Sequence, residues 1–277
     1  MPLNLMYITN RPEIARIAET AGVDRIFIDM EYIGKSERQA GMDTVQCHHS
    51  TDDIKNVKNA ICQAEMMVRV NPIHNVSPFY CSTEKEIDAA VCAGADILML
   101  PYFKTADEVE RFVNAVGGRV RTMLLIETPE AVQNIDKILD INGIDELFIG
   151  LNDLSLGYGK RFMFELLADG TVEGLCRKFK QKGLPYGFGG IAAIGKGTLP
   201  SEYIIKEHYR LGSTSAILSR SFCNTQNMSD IKEIENTFMN GMAQIRSLEA
   251  ECALKDKAYF NKNKQEIDER IKIICGG

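Results

Sequence analysis

The chain has 277 residues, 45% hydrophobic and 25% charged, a globular composition far from the disordered, collagen-like and disulfide-dense classes. Lys and Arg number 32 against 38 Asp and Glu, a net charge of −6, which argues against a nucleic-acid partner because such surfaces need clustered cations. No run reaches the roughly 18 apolar residues of a membrane span, and the opening MPLNLMYITNRPE lacks the basic start and apolar core of a signal peptide; no membrane partner and a cytoplasmic location are expected.

Short β-rich apolar runs alternate with helical segments along the chain, the pattern of a parallel α/β fold. The predicted strands are Leu5–Ile8, Arg25–Asp29, Met66–Val70, Ile97–Pro101, Thr122–Ile126, Glu146–Ile149, Tyr186–Gly189 and Thr214–Leu218. Eight such runs predict a (β/α)₈ TIM barrel over residues 1–225, a size near the roughly 250 residues usual for that fold. The helices between the strands are signalled by their ends. Asn10 with Pro12 is expected to open the first and Gly22 to close it. Thr83 with Glu86, and Thr105 with Glu108, read as capping boxes. In ETPEAV, Thr128 reads as a cap and Pro129 as the first helical residue, which leaves Glu127 at the end of the fifth strand. From Ser229 onward Ile231, Ile234, Phe238, Met242, Ile245 and Leu248 form one helical stripe, followed by a charged helical stretch to Cys275. Residues 226–277 are thus expected to be a C-terminal helical extension that packs on the barrel or on a neighbouring subunit. The eight cysteines form no CxxC pair and read as reduced thiols.

Active sites of such barrels lie at the carboxyl ends of the strands, which directs attention to Asp29 and Glu31 in IFIDMEY, Arg69 in MMVRVNP, Glu127 in LLIETPE, and Asn152 and Asp153 in LFIGLNDLS. Neighbouring parallel strands are about 4.8 Å apart, so Glu127 and Asp153 can reach one cation. Two carboxylates suit Mg²⁺ or Mn²⁺, which keep water positions that a bidentate 2-oxo acid can take over. Arg69 offers a planar fork for a substrate carboxylate. Lys35 and Arg38, on the long polar loop after Glu31, are candidates for binding a second substrate; Asn152, beside Asp153, is a candidate substrate-binding residue, and His48 is a weaker candidate for a base.

Together VRVN, GADILMLPYFKTADEVERFV, IETPEAV and FIGLNDLSLGYG resemble the HpcH/HpaI aldolase and citrate lyase family, in the same order. The resemblance implies that Glu127 and Asp153 are metal ligands, that Arg69 binds pyruvate and that Asp29 lies near the catalytic water. It also implies a homo-oligomer, commonly a trimer or hexamer that exchanges the last barrel helix. Where the family's pyruvate aldolases follow the second strand with glutamate and a catalytic histidine, this chain has Glu31 and Tyr32. Glu31 or metal-bound hydroxide then stands as the alternative base. The expected activity is a metal-dependent carbon–carbon lyase acting on a 4-hydroxy-2-oxo acid, with a citrate-lyase-like acyl-CoA lyase and a catalytically silent assembly subunit as alternatives. The near-P-loop GIAAIGKG at 190–197 is followed by Thr198, Leu199 and Pro200 in place of a helix, and reads as a mobile glycine-rich loop over the mouth. No lysine falls on a predicted strand end, which disfavours a Schiff-base lyase.

Overall fold

Eight strands close on themselves in chain order, and every pair between neighbours is parallel. They are β1 (Asn4–Ile8), β2 (Arg25–Asp29), β3 (Glu65–Arg69), β4 (Ile97–Leu100), β5 (Arg121–Ile126), β6 (Glu146–Ile149), β7 (Tyr186–Ile191) and β8 (Ser215–Leu218). The computed structural model describes residues 2–35, 49–225, 228 and 230–276. The fold is the (β/α)₈ barrel expected from the alternating runs. The intervening helices are α1 (Pro12–Thr20), α2 (Thr51–Lys58), α3 (Thr83–Ala93), α4 (Ala106–Val116), α5 (Pro129–Gln133), α6 (Ile135–Leu139), α7 (Leu151–Gly157), α8 (Glu165–Ala168), α9 (Thr171–Lys182) and α10 (Ser201–Leu211). The chain then adds α11 (Ile231–Cys252) and α12 (Lys257–Ile274). No helix among the described residues is long and apolar enough to cross a membrane.

The barrel interior is layered because strand side chains alternate with a period of two. Strands β2 and β3 pair Arg25 with Glu65, Phe27 with Met67 and Asp29 with Arg69. The middle layer is apolar: Met6, Phe27, Met67, Met99, Met123 and Phe148 form a buried cluster of their own. Below it the floor is charged. Arg25, 3% exposed, donates to both Glu146 oxygens at 2.7 and 2.8 Å and to Glu65 at 3.0 Å, and Arg121 bridges the same two glutamates. Above the middle layer lies the mouth.

Several ends agree with their sequence signals and two do not. Thr105 and Glu108 form a reciprocal capping box, and Thr128 accepts from Ala131 N–H with Pro129 at the start of α5. The first helix is capped by Arg11, not Asn10, whose amide instead donates to Asp53. Thr83 and Glu86 make no box, because Ser82 is the cap, Thr83 bonds to His74, and the Glu86 carboxylate is drawn to Asn71. In the loop after Gly190, Ala193 N–H donates to the Ser221 carbonyl and Ser201 Oγ to the Ala193 carbonyl. Ile234, Phe238, Met242 and Ile245 of α11 join the same core as the barrel helices, and α11 packs against α1 and α10. It thereby covers the gap between the helices that follow β1 and β7, while α12 lies against α10 and α8.

One core group carries a pH signature. His208 is fully buried, stacked 3.8 Å from Phe188, with Nδ1 2.8 Å from Ser213 Oγ. Ser213 donates its own hydrogen to the Tyr186 carbonyl, so the His208 ring is the donor to Ser213 and is neutral. Burial pushes its pKa down to about 3. The unfolded chain, with a histidine near its ordinary value of about 6.5, takes up a proton first as pH falls, so this group removes stability below that pH by up to about 1.4 kcal/mol per pH unit. Urea unfolding of wild type and His208→Gln between pH 7 and 4 should show the steeper loss in wild type; parallel curves would contradict it.

Candidate active site at the barrel mouth

The top layer is a knot of buried charge. Arg69 grips Asp29 at two points, Nε to Oδ1 at 2.8 Å and Nη2 to Oδ2 at 2.7 Å. Lys35 Nζ donates to Asp29 Oδ2 at 2.7 Å, and Glu31 lies 3.4 Å from Arg69 and 3.5 Å from Lys35. Burial alone would raise the Asp29 carboxyl pKa, but the Arg69 guanidinium and then the Lys35 ammonium outweigh it and hold the group well below the usual carboxylate range. Burial likewise opposes the charge on Arg69, yet Asp29, Glu31 and Glu127 together raise its pKa. Two acids and two bases cancel, which is how ionised groups persist in a poorly hydrated place.

This arrangement changes the picture of two predicted residues. Lys35, a candidate for binding a second substrate, is buried at 5% side-chain exposure and serves as a counter-ion to Asp29. Arg69 does sit at the mouth, but its fork is already engaged by Asp29. Arg38 and His48 lie outside the described residues. Tyr32, in the position where the family places its histidine, points elsewhere: its N–H and that of Ile33 donate to Asn71 Oδ1, and its ring, 40% exposed, lies 5.4 Å from Tyr80. Burial and the charge of Glu86 push its phenol up, away from use as a base.

Asp29, Lys35 and Arg69 open on a cavity of about 570 Å³ that continues past Thr9, Asn10 and Arg11 to Arg220, Asn224 and Thr225. His49 lines the same cavity, and its Nδ1 accepts from the Asp29 N–H at 3.0 Å. No strand motif announces this residue. The Ser50–Asp53 capping box, which starts α2 immediately after it, is the signal that could have brought it back to the mouth.

Glu127 and Asp153 follow β5 and β6, whose last residues Ile126 and Ile149 are paired. Both are buried, and both line a second cavity of about 550 Å³ with Tyr102, Lys104 and Thr128. Tyr102 has φ +50°, an uncommon left-handed backbone for a bulky residue, and its N–H donates to Glu127 Oε1 at 3.0 Å. Gly150 leaves the room that Glu127 occupies, since a Cβ there would meet Glu127 Cβ and Oε2 at 2.8 Å. Asn152 is half-buried on the same turn as Asp153 and lines neither cavity; its carbonyl accepts from Ser155 Oγ at 2.7 Å.

The donor set fits a hard divalent cation. Two carboxylates share a cavity, one of them held by a backbone N–H and accommodated by a missing side chain. No group of three or more His, Cys, Asp or Glu side chains suited to a metal occurs among the described residues, so water or substrate oxygen would supply the remaining positions, as Mg²⁺ usually requires.

A closed parallel barrel with acids and an arginine at the carboxyl ends of its strands defines a TIM barrel with its polar site on the face where enzymes of this architecture react substrates. Residues 4–162 match the family model described as HpcH/HpaI aldolase/citrate lyase, and the chain belongs to that family. It is 27% identical over 211 residues to a 2-keto-3-deoxy-L-rhamnonate aldolase of Shigella dysenteriae, covering 65% of this chain and 71% of that one. A protein of the same name from Escherichia coli O157:H7 is 26% identical over 176 residues, with 53% and 58% covered. Among solved structures, a Burkholderia cenocepacia HpcH/HpaI family protein superposes with a TM-score of 0.61 at 18% identity, over 84% of this chain and 94% of that one. The HpcH/HpaI aldolase of Desulfitobacterium hafniense gives 0.59 at 18%, over 88% and 93%. At such identities these two likenesses are of fold.

Removing Asp29 leaves Arg69 and Lys35 to face each other beside a single remaining acid. Asp29→Asn is therefore expected to destabilise the protein at pH 7 by about 3–5 kcal/mol, measured by urea unfolding. A loss below about 1 kcal/mol would mean that the knot is solvated.

Proposed function

We propose that the protein is a carbon–carbon lyase of the pyruvate aldolase type, which cleaves a 4-hydroxy-2-oxo acid to pyruvate and an aldehyde with a divalent cation, Mg²⁺ or Mn²⁺, held by Glu127 and Asp153. The observation that carries the reading is the pair of buried carboxylates opening on one cavity, with Gly150 leaving space for one of them. The names of the relatives support the reaction class. A cation held there would draw charge from the keto oxygen of the oxo acid and so favour its enolate.

The protein's own groups supply the rest. Arg69 adds a permanent positive charge to the field at the mouth, and because Asp29 fixes its plane, little is lost in reorienting it as negative charge develops. Tyr102 fixes one oxygen of Glu127, so the carboxylate meets its ligand already oriented. Asp29 and Glu31 act mainly by keeping Arg69 and Lys35 in place, which makes them positioning residues.

Incubated with pyruvate and magnesium in heavy water, the protein should exchange the pyruvate methyl protons, as followed by proton NMR. Chelator should abolish the exchange, and Glu127→Ala or Asp153→Ala should slow it about 100-fold or more. Gly150→Ala, which crowds Glu127, should weaken magnesium binding by calorimetry about 10–100-fold. Exchange that survives both chelator and Glu127→Ala would sink the proposal.

A further inference from the structure

Asn71, two residues beyond Arg69, is buried, and both ends of its side-chain amide are engaged. Its Oδ1 accepts from the Tyr32 N–H at 3.0 Å and from the Ile33 N–H at 2.9 Å. Its Nδ2 donates to Glu86 Oε1 at 2.8 Å, the oxygen that also accepts the Asn71 backbone N–H at 3.1 Å. Backbone N–H groups can only donate, so the amide end that meets Tyr32 and Ile33 must be its oxygen, and the end that meets Glu86 must be its nitrogen. Glu86, on α3, is itself buried, and burial pushes its carboxyl up. Its second oxygen has no hydrogen-bond partner among the described residues and lies 3.9 Å from His74 Nε2. An aliphatic side chain would be less costly at such a place. What the acid contributes is the single orientation it imposes on Asn71.

That orientation is passed along the turn after β2. Tyr32 is held at its N–H by Asn71 and at its carbonyl by the Lys35 N–H, 3.2 Å away. From the same turn the Lys35 side chain runs inward, with Nζ 2.7 Å from Asp29 Oδ2, the oxygen that Arg69 Nη2 also reaches at 2.7 Å. We infer that Asn71, oriented by Glu86, is a positioning residue of the lyase: it fixes the turn that brings Lys35 onto Asp29, and so keeps the Arg69 guanidinium in place as the enolate's charge develops. The catalytic half of this inference rests on the lyase reading; the placement of the turn does not. Asn71 acts without touching substrate, through Tyr32, Lys35 and Asp29 in succession. Its effect is one of distance, since charges fixed before reaction lose their advantage when they are displaced by about an ångström.

The test reads two quantities in the magnesium-loaded protein from about pH 5.5 to 8.5, each relative to wild type at the same pH: deuterium protection of the Tyr32 amide, by NMR of ¹⁵N-labelled protein, and pyruvate methyl exchange. Asn71→Asp keeps an oxygen for the Tyr32 N–H but sets two carboxyl groups face to face, which stay together only while they share a proton. Both quantities are expected near wild type at the acid end and to fall together by about 10-fold or more at the alkaline end. Adding Glu86→Gln to Asn71→Asp returns a donor to the joint with its direction reversed. The double variant is expected to recover both quantities and to lose the pH dependence, although His74 and Tyr32, the other titratable groups beside Glu86, are unchanged in it. A defect in Asn71→Asp that is flat with pH, or one that Glu86→Gln does not relieve, overturns the inference. So does lost Tyr32 protection with methyl exchange at the wild-type rate, and that result leaves the lyase reading standing. If wild type exchanges no pyruvate protons, the lyase reading fails and the catalytic role with it, whereas pH-dependent Tyr32 protection and its rescue still assign the turn to Asn71.

Discussion

The two-point contact between Arg69 and Asp29 is the interaction on which the mouth depends, and it is a consequence of strand register. With Arg25 opposite Glu65, alternation carries Phe27 to Met67 and Asp29 to Arg69, so one choice of pairing places an ion pair at each end of an apolar layer. A slip by a single residue would send every one of these side chains to the opposite face. Asp29 and Arg69 are thus as much a register device as a chemical one. Their charges are tolerated because Lys35 and Glu31 complete the balance at the same depth.

From that point the mouth divides. On one side, cations and a histidine surround a polar cavity formed by β1, β2, β3 and β8; on the other, Glu127 and Asp153 share a cavity formed by β5 and β6. Each half is tuned by backbone more than by side chains: the Asp29 N–H sets the His49 ring, and the Tyr102 N–H, presented by a left-handed residue, sets Glu127. Backbone donors are rigid because the barrel fixes them, which suits a site in which orientation has to precede binding.

Much of this could be read from the chain, for reasons that separate local from distant physics. Strands β2 and β6 match their predicted bounds, because a short apolar run between turn signals needs no knowledge of its neighbours. The caps at Thr105 and Thr128 were legible for the same reason: donor and acceptor lie three residues apart. The box read at Thr83 and Glu86 fails because a partner outside the segment, Asn71, takes the carboxylate. Lys35 reads from the chain as a candidate for a second substrate, since nothing in its own neighbourhood reveals that Asp29 and Glu31 are buried with it. His49 carries no such local signal because its place is set by where α2 begins, and Tyr32, which follows Glu31 in the strand motif, is held by its N–H to Asn71 and by ring contact with Tyr80.

Arg69 is near enough to Glu127 for that carboxylate to help hold its charge, while its own fork belongs to Asp29. The guanidinium lines the cationic half and feels the acidic half through charge alone. Coupling free energies are reciprocal: an occupant that screens Glu127 weakens its pull on Arg69, and whatever factor this contributes to affinity on the Asp29 side must be returned to the first occupant when the second arrives. Two pockets that share no wall residue in the acidic and cationic halves would in this way report on each other's filling, with one arginine as the messenger and no movement of the barrel required.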